Sequence, residues 1–358
     1  MTVRVVTLPG DGVGPEVTAQ ALAVLRAVTQ AAGIELDVAE HRIGGRAIDE
    51  LGEPLPASTR QACQEADAVL LGAVGGPRWD HLSGSARCEA GLLGLRAALA
   101  VFANLRPVRV HPRLADRTTL RPEVVRGVDM VVVRELTGGA YFGQPKHRDG
   151  DSAIDSIVYT RAEIERVARV AFGLAGERSG RLTSVDKANV LVTSELWREA
   201  VSALAPEFPG VVLEHALVDS FAMRLVQRPR DIDVVVTENL FGDILSDEAA
   251  VLAGSLGLLP SASLGVSGPG LYEPVHGSAP DIAGSDRANP YGAILSVALM
   301  LRHSLGRPDL AAAVESAVDA TVDDGVLTAD LGGSSSTSAA GAAVLAALGA
   351  QLPSAVVR

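Results

Sequence analysis

Short runs of Val, Leu and Ile alternate with longer stretches rich in Ala, Leu, Glu and Arg along this chain of 358 residues. That alternation is the pattern of an α/β protein. VRVVTLP predicts a strand, and Pro15 to Thr29 predicts a helix with Pro15 and Glu16 in its first turn. ADAVLLGAV, DMVVVREL, LTSVDKANVL and IDVVVTEN predict four further strands, with helices over 161–175 and 194–204 alternating with them. The length exceeds what one hydrophobic core usually serves, so two domains are expected. The stretch from Gly254 to Gly284 is rich in Gly, Pro and Ser and too long for a simple connector, which marks it as a functional loop. GGSSSTS at 332–338 reads as a loop inside the last helical layer, because an Ala-rich helix follows it.

At 47% hydrophobic and 21% charged residues, the composition is that of an ordinary globular protein. The net charge of −12 argues against general nucleic-acid binding, which needs basic stripes. It leaves an anionic small molecule open, because local arginines can dominate a cleft. The chain enters its first strand without a basic leader, and no run approaches the ~18 apolar residues of a membrane helix. Cys63 and Cys88 offer neither metal-type spacing nor a disulfide framework; this fits the cytoplasm, and both read as packing residues. PGDGVGPEV invites a dinucleotide-fingerprint reading, but Pro15 takes the place of the third glycine and no P-loop lysine follows. A tight strand-to-helix turn near the active site is the better expectation.

TENLFGDILSDEAA, residues 237–250, narrows the chemistry. A helix from about Leu240 places Asp243 and Asp247 on one face, one turn apart. Like charges at that spacing repel unless a cation sits between them, and oxygen ligands suit Mg²⁺ or Mn²⁺. A solvated acidic face is the competing reading; the apolar neighbours Leu240, Phe241, Ile244 and Leu245 suggest a packed helix start instead. Asp219 in LVDSFAMRL is a third acidic candidate, or else a helix cap. Arg96, Arg106 and Arg134 stand at or just beyond strand and helix ends, where a guanidinium can clamp a carboxylate. Taken singly, each reads more readily as a surface ion pair. Lys187 lies within an otherwise apolar strand, costly unless it serves a site as a proton acceptor. Tyr141 follows two glycines that allow close backbone approach to a ligand, or else is a core aromatic.

Ten blocks in order carry a resemblance over essentially the whole chain: LPGDGVGPEV, GGPRWD, EAGLLGLR, NLRPV, RELTGGAYFG, DKANVL, VDSFAMRL, TENLFGDILSDEAA, GLYEPVHGSAPDIAG and TADLGGSSST. The chain resembles the β-hydroxyacid oxidative decarboxylases of the isocitrate/isopropylmalate dehydrogenase family, on the isopropylmalate side. The resemblance implies that family's two-domain α/β fold, with a mixed sheet and flanking helices, and not a Rossmann fold. It implies a large cofactor-binding domain from 1–101 and 255–358. A central domain, 102–254, would carry the dimer interface and the metal ligands, with the active site in the cleft between the domains. The reaction implied is oxidation and decarboxylation of 3-isopropylmalate to 2-oxo-4-methylpentanoate and CO₂ with reduction of NAD, a step of leucine biosynthesis.

Residue by residue, the resemblance makes Arg96, Arg106 and Arg134 carboxylate ligands. Asp219, Asp243 and Asp247 become the ligands of Mg²⁺ or Mn²⁺, with Asp219 also at the substrate. Lys187 would take the hydroxyl proton and Tyr141 would return one. Lys187 and Asp219 would reach into the partner's cleft, making a homodimer the catalytic unit. Leu92, Leu93 and Val190 would form an apolar wall suited to a branched alkyl group and hostile to an extra carboxylate. Glu89 matches a glutamate near the nicotinamide. Gly76, His276, Gly277, Ser278, Ala279, Asp281, Ile282 and Asn289 complete the NAD-binding set. Asp281 and Ile282 stand where NADP-dependent relatives carry Lys and Tyr. A carboxylate accepts from a ribose hydroxyl but repels a 2′-phosphate, so NAD is expected. Arg87-Cys88-Glu89 departs from the family's Arg-Pro-Glu and leaves room for a sister dehydrogenase acting on another 3-alkylmalate, tartrate, D-malate or homoisocitrate. A non-catalytic nucleotide-binding regulator is the rival from another class. Retention of the lysine, the tyrosine, three arginines and three aspartates speaks against it.

Overall fold

The computed structural model describes residues 2–351, so residue 1 and residues 352–358 of the expected outer domain lie outside the described residues. The chain forms two compact units, Met1–Val101 with Ser255–Arg358, and Phe102–Gly254. The outer unit begins with β1 (Thr2–Gly10), α1 (Gly14–Ala31), β2 (Glu35–Glu40), α2 (Gly44–Leu51), α3 (Ala57–Gln64), β3 (Ala68–Ala73) and α4 (Cys88–Ala98). The central unit starts with β4 (Ala103–Arg109), α5 (Pro122–Val125), β5 (Asp129–Glu135), β6 (His147–Asp149) and β7 (Ser152–Ile154). It continues through α6 (Arg161–Glu177), β8 (Arg181–Asp186), α7 (Val192–Leu204), β9 (Val212–Leu217), α8 (Val218–Gln227), β10 (Val234–Thr237) and α9 (Asn239–Ala250). The chain then returns to the outer unit with β11 (Pro260–Leu264), β12 (Gly270–Pro274), α10 (Tyr291–His303), α11 (Pro308–Asp323) and α12 (Thr337–Gln351).

In the outer unit the strands run in the order β2-β1-β3-β12-β11, parallel except for the β11–β12 pair. Every residue of β3 is buried, as expected of a parallel strand covered on both faces. Helices α1, α10, α11 and α12 pack against one another. In the central unit the order is β4-β5-β10-β8-β9, parallel except for β4–β5. β10 is wholly buried, and α6 begins with a reciprocal capping box between Thr160 and Glu163. β6 and β7 pair antiparallel as a separate hairpin, with His147 opposite Ile154.

The Gly/Pro/Ser-rich 254–284 stretch is not one long loop. It holds β11 and β12, buried along almost their whole length and bounded by Pro260, Gly270 and Pro274, residues that read as loop. The turn between β1 and α1 cannot cradle a phosphate in the Rossmann manner, because protein backbone fills it. Val13 N donates to Ser278 O at 2.8 Å, and a Cβ at Gly12 would lie 1.9 Å from that same oxygen. Cys63 and Cys88 are both buried, and burial pushes the Cys63 thiol up to about 12 and Cys88 to about 11. Among the described residues no helix is long and apolar enough to cross a membrane.

Candidate active site

Within the central unit, β5 ends in Arg134-Glu135 and its parallel neighbour β10 runs through Glu238 into α9. Arg134 is buried, and its Nε and Nη2 donate to Asn239 Oδ1 at 3.0 and 2.8 Å while Nη1 pairs with Asp243. Arg106 reaches Ser246 Oγ at 2.7 Å and Asp247 at 3.0 Å, and lies 3.7 Å from Asp243. Tyr141, in the turn Gly139–Tyr141, donates its hydroxyl to Asp243, and the Arg134 guanidinium lies 5.2 Å over its ring. Arg106, Arg134, Tyr141, Asp243 and Asp247 are thus brought together. Arg106 does not sit at a strand end, as expected, but in the middle of β4, opposite Val132 of β5. Its Nε is held by Asn104 Oδ1 at 2.9 Å, which aims the guanidinium at α9.

Asp243 and Asp247 do lie one turn apart on α9, where two guanidinium groups already meet them. The pair therefore attracts cations and offers only hard oxygen donors, which fits Mg²⁺ or Mn²⁺. The packed-start expectation needs one correction, because Ile244 is 58% exposed while Leu245 is buried. Desolvation, then the hydrogen bond and charge of Asp243, push the Tyr141 phenol above its ordinary value, so it keeps its proton.

Lys187 is not within a strand. β8 stops at Asp186, whose carboxylate accepts from Ala188 N at 2.9 Å and turns the chain, so Lys187 opens a loop. Its Nζ meets Asp219 Oδ1 at 2.7 Å, a pair that holds the Asp219 carboxyl below its usual range. Asp219 lies in the first turn of α8 without capping it. Val190, in the same loop as Lys187, is 67% exposed. Among the described residues no three acidic, His or Cys side chains converge on one metal position, so Asp219 does not join Asp243 and Asp247 within the chain.

In the outer unit, α4 carries Glu89 exposed in its first turn, Leu92 and Leu93 half-buried, and Arg96 in its last turn. Cys88 is buried at the first position of α4, so packing anchors the segment where the family's proline is missing. Arg96 pairs with Glu273 of β12 at 2.7 Å and keeps a buried Nε without a partner. Gly75 and Gly76 precede this helix, and a Cβ at Gly75 would approach Glu89 to 3.1 Å.

The loop 276–289 follows β12. Burial depresses the His276 imidazole, so it is neutral at pH 7, and its Nε2 is buried with no partner. An orphaned ring nitrogen in this loop, with Nδ1 already held by Gly277 O at 2.9 Å, fits a polar ligand such as an adenosine. Ser278 is buried, Ala279 adopts φ +38°, and Asp281 is exposed beside the half-buried Ile282. Asn289 is already committed, accepting from Tyr291 N at 3.0 Å and donating to Asp330 at 2.9 Å.

Sequence reasoning missed several residues that shape the site. Asp11 is buried and accepts from Gly45 N, Arg46 N and Gly75 N at 2.7–2.8 Å, tying the β1–α1 turn to the start of α2 and to the loop after β3. Glu16 caps the backbone of the 276–289 loop through Gly284 N and Asp286 N. Asn239 and Glu273 hold two of the three arginines. Each is a lone polar residue in a turn, a strand or the first turn of a helix, and only its fold partner gives it meaning.

The profile described as isocitrate/isopropylmalate dehydrogenase matches residues 4–344. The chain belongs to that family. A 3-isopropylmalate dehydrogenase of Anaeromyxobacter dehalogenans is 59% identical over 343 residues, covering 95% of this chain and 97% of that one. Another, of Gloeobacter violaceus, is 56% identical over 333 residues and covers 92% of both. Among solved structures, the isocitrate dehydrogenase of Methylococcus capsulatus is 34% identical with a TM-score of 0.86, covering 97% of this chain and 99% of that one. The family's α/β fold, with mixed strand pairing and flanking helices, is therefore shared.

Proposed function

We propose that the chain is an NAD- and Mg²⁺/Mn²⁺-dependent 3-isopropylmalate dehydrogenase of leucine biosynthesis, acting as a homodimer in the cytoplasm. The observation that carries this reading is the Arg106–Arg134–Tyr141–Asp243–Asp247 cluster, in a chain 59% identical to a protein of that name. Arg106 and Arg134 would bind the malate carboxylates through bidentate guanidinium contacts, and Arg96 would add a third. Asp243 and Asp247 of one subunit, with Asp219 of the other, would hold the divalent ion, and the 276–289 loop would hold NAD. When bound, the ion supplies a Lewis acid beside the C2 oxygen and NAD supplies the hydride acceptor.

Lys187 would act as the free amine, its Nζ taking the C2 hydroxyl proton once the ion pair with Asp219 is broken, and Tyr141 would give a proton to the carbon from which CO₂ has left. Tyr141 suits that task because desolvation and Asp243 keep its hydroxyl protonated. Leu92 and Leu93 favour an isopropyl group over a second carboxymethyl group, because an apolar wall would desolvate a γ-carboxylate without pairing it. The exposed carboxylate of Asp281 accepts from a ribose hydroxyl and repels a 2′-phosphate, which favours NAD over NADP.

Two observations support the dimer. Lys187 pairs with Asp219 apart from the acids of α9, and the paired helices α8 and α9, with the turn after α9, present Met223, Val226, Ile244 and Val251 to solvent.

The test is turnover with Mn²⁺ and NAD or NADP on 3-isopropylmalate, isocitrate, homoisocitrate, tartrate and D-malate. Preference for 3-isopropylmalate with NAD is expected. Preference for isocitrate or NADP would overturn the substrate or cofactor assignment, and no turnover on any of them would favour the regulator.

A further inference from the structure

Arg134 owes its orientation to Asn239. The amide's orientation is forced, because the guanidinium can only donate and Gly138 O, to which Asn239 Nδ2 donates at 3.1 Å, can only accept. The Asn239 backbone N–H donates in turn to the Tyr159 hydroxyl at 3.0 Å. Tyr159 is buried, and its hydroxyl lies 3.2 Å from Glu135 Oε2 and 3.4 Å from Glu238 Oε2. Both carboxylates are anchored to backbone. Glu135 accepts from Thr137 N and Gly138 N at 2.8 Å, and Glu238 caps α9 through Leu240 N at 3.1 Å and Phe241 N at 2.6 Å. The ring of Tyr159 also supports the turn that carries Tyr141. A Cβ at Gly138 would lie 2.5 Å from its Cε1, and one at Gly139 would lie 2.6 Å from its hydroxyl.

Three connections therefore leave one phenol: through Asn239 to Arg134, through Gly138–Gly139 to Tyr141, and through Glu238 to the helix that carries Asp243. We propose that Tyr159 and Asn239 are positioning residues that fix the Arg134 guanidinium and the Tyr141 turn for substrate binding. The inference rests on the reading that Arg134 holds a substrate carboxylate. A buried arginine held at two nitrogens by one amide oxygen cannot rotate freely. Its remaining face is then set before substrate arrives, which lowers the ordering cost of binding.

The experiment compares the full-length protein with Tyr159→Phe, Asn239→Ala and Asn239→Asp. It measures KM for 3-isopropylmalate and for NAD separately, together with calorimetric affinity for 3-isopropylmalate in Mn²⁺. Tyr159→Phe keeps the ring and removes the hydroxyl. It should raise the malate KM roughly tenfold, the scale of one lost hydrogen bond to a charged or clamped group, and leave the NAD KM within about twofold. Asn239→Ala should do at least as much, and Asn239→Asp should recover part of the loss because an acceptor again faces Arg134. An unchanged malate KM, an equal rise in both KM values, or an Asp variant no better than Ala would overturn the proposal. Should Tyr159→Phe not fold, the two Asn239 variants decide it alone. Wild-type protein that neither binds nor turns over 3-isopropylmalate overturns the functional reading and this one. Normal wild-type turnover with unaffected variants overturns this one only.

Discussion

The stem of Arg134 crosses helix α9 at Gly242, where a Cβ would stand 2.6 Å from the arginine's Cγ and 2.8 Å from its Cβ. The close approach lets a buried strand residue reach Asp243, one position further along the helix. Gly242→Ala should push the guanidinium away from Asn239 and Asp243, costing about 1–3 kcal/mol of stability as an overpacked site. The malate KM should rise with it. Thermal unfolding and steady-state kinetics check this, and an alanine variant with native values in both would show that the backbone yields without cost.

Lys187→Met should abolish hydride transfer while 3-isopropylmalate still binds, as read by NADH formation and calorimetry. Undiminished turnover would remove Lys187 as the base. If the site is shared, mixing Lys187→Met with Asp247→Asn should restore roughly a quarter of wild-type activity. Half the dimers would then be hybrids, each with one intact site. No recovery after subunit exchange would argue for self-contained sites.

Cofactor choice should follow charge at the exposed end of the 276–289 loop. Replacing Asp281 by Lys together with Ile282→Tyr should shift the NADP/NAD ratio of kcat/KM upward by at least about tenfold, which corresponds to ~1.4 kcal/mol. A ratio that does not move would place adenosine recognition elsewhere.

Burial, reinforced by the charge of Arg302, depresses His303 at the end of α10 to about 4. An unfolded histidine titrates near 6.5, so the unfolded chain binds more protons between these values. The stabilising contribution of the neutral ring is therefore complete above pH ~6.5 and is lost as pH falls through the folded value, at ~1.4 kcal/mol per pKa unit of difference. His303→Gln should flatten the fall of the urea midpoint between pH 6.5 and 4. Parallel curves for the two proteins would show that other groups carry the acid sensitivity.

The periodicity of apolar runs made the α/β class legible, and Pro15 and Glu16 marked the start of the first helix, whose expected bounds hold to within two residues. Local patterns failed where a polar side chain ended an element. Lys187 looked like a strand residue because nothing in LTSVDKANVL reveals that the Asp186 carboxylate turns back on Ala188 N. The Pro- and Gly-bounded strands β11 and β12 were hidden for a related reason, since their burial comes from neighbours in the sheet and not from their own composition.

TENLFGDILSDEAA by itself placed two acids on one helical face, because helix geometry is local and needs no partner. It could not say that Arg134 and Arg106, 109 and 141 residues away in sequence from the acids they meet, would lie upon them. Nor could it give Asn239 and Tyr159 their place beneath Arg134. Those contacts depend on strand pairing between distant segments, β4 antiparallel to β5 and β5 parallel to β10, and on a glycine that lets one side chain pass another element's backbone. Helical spacing is written into neighbouring residues, whereas the aim of a guanidinium is set by what the fold packs around it.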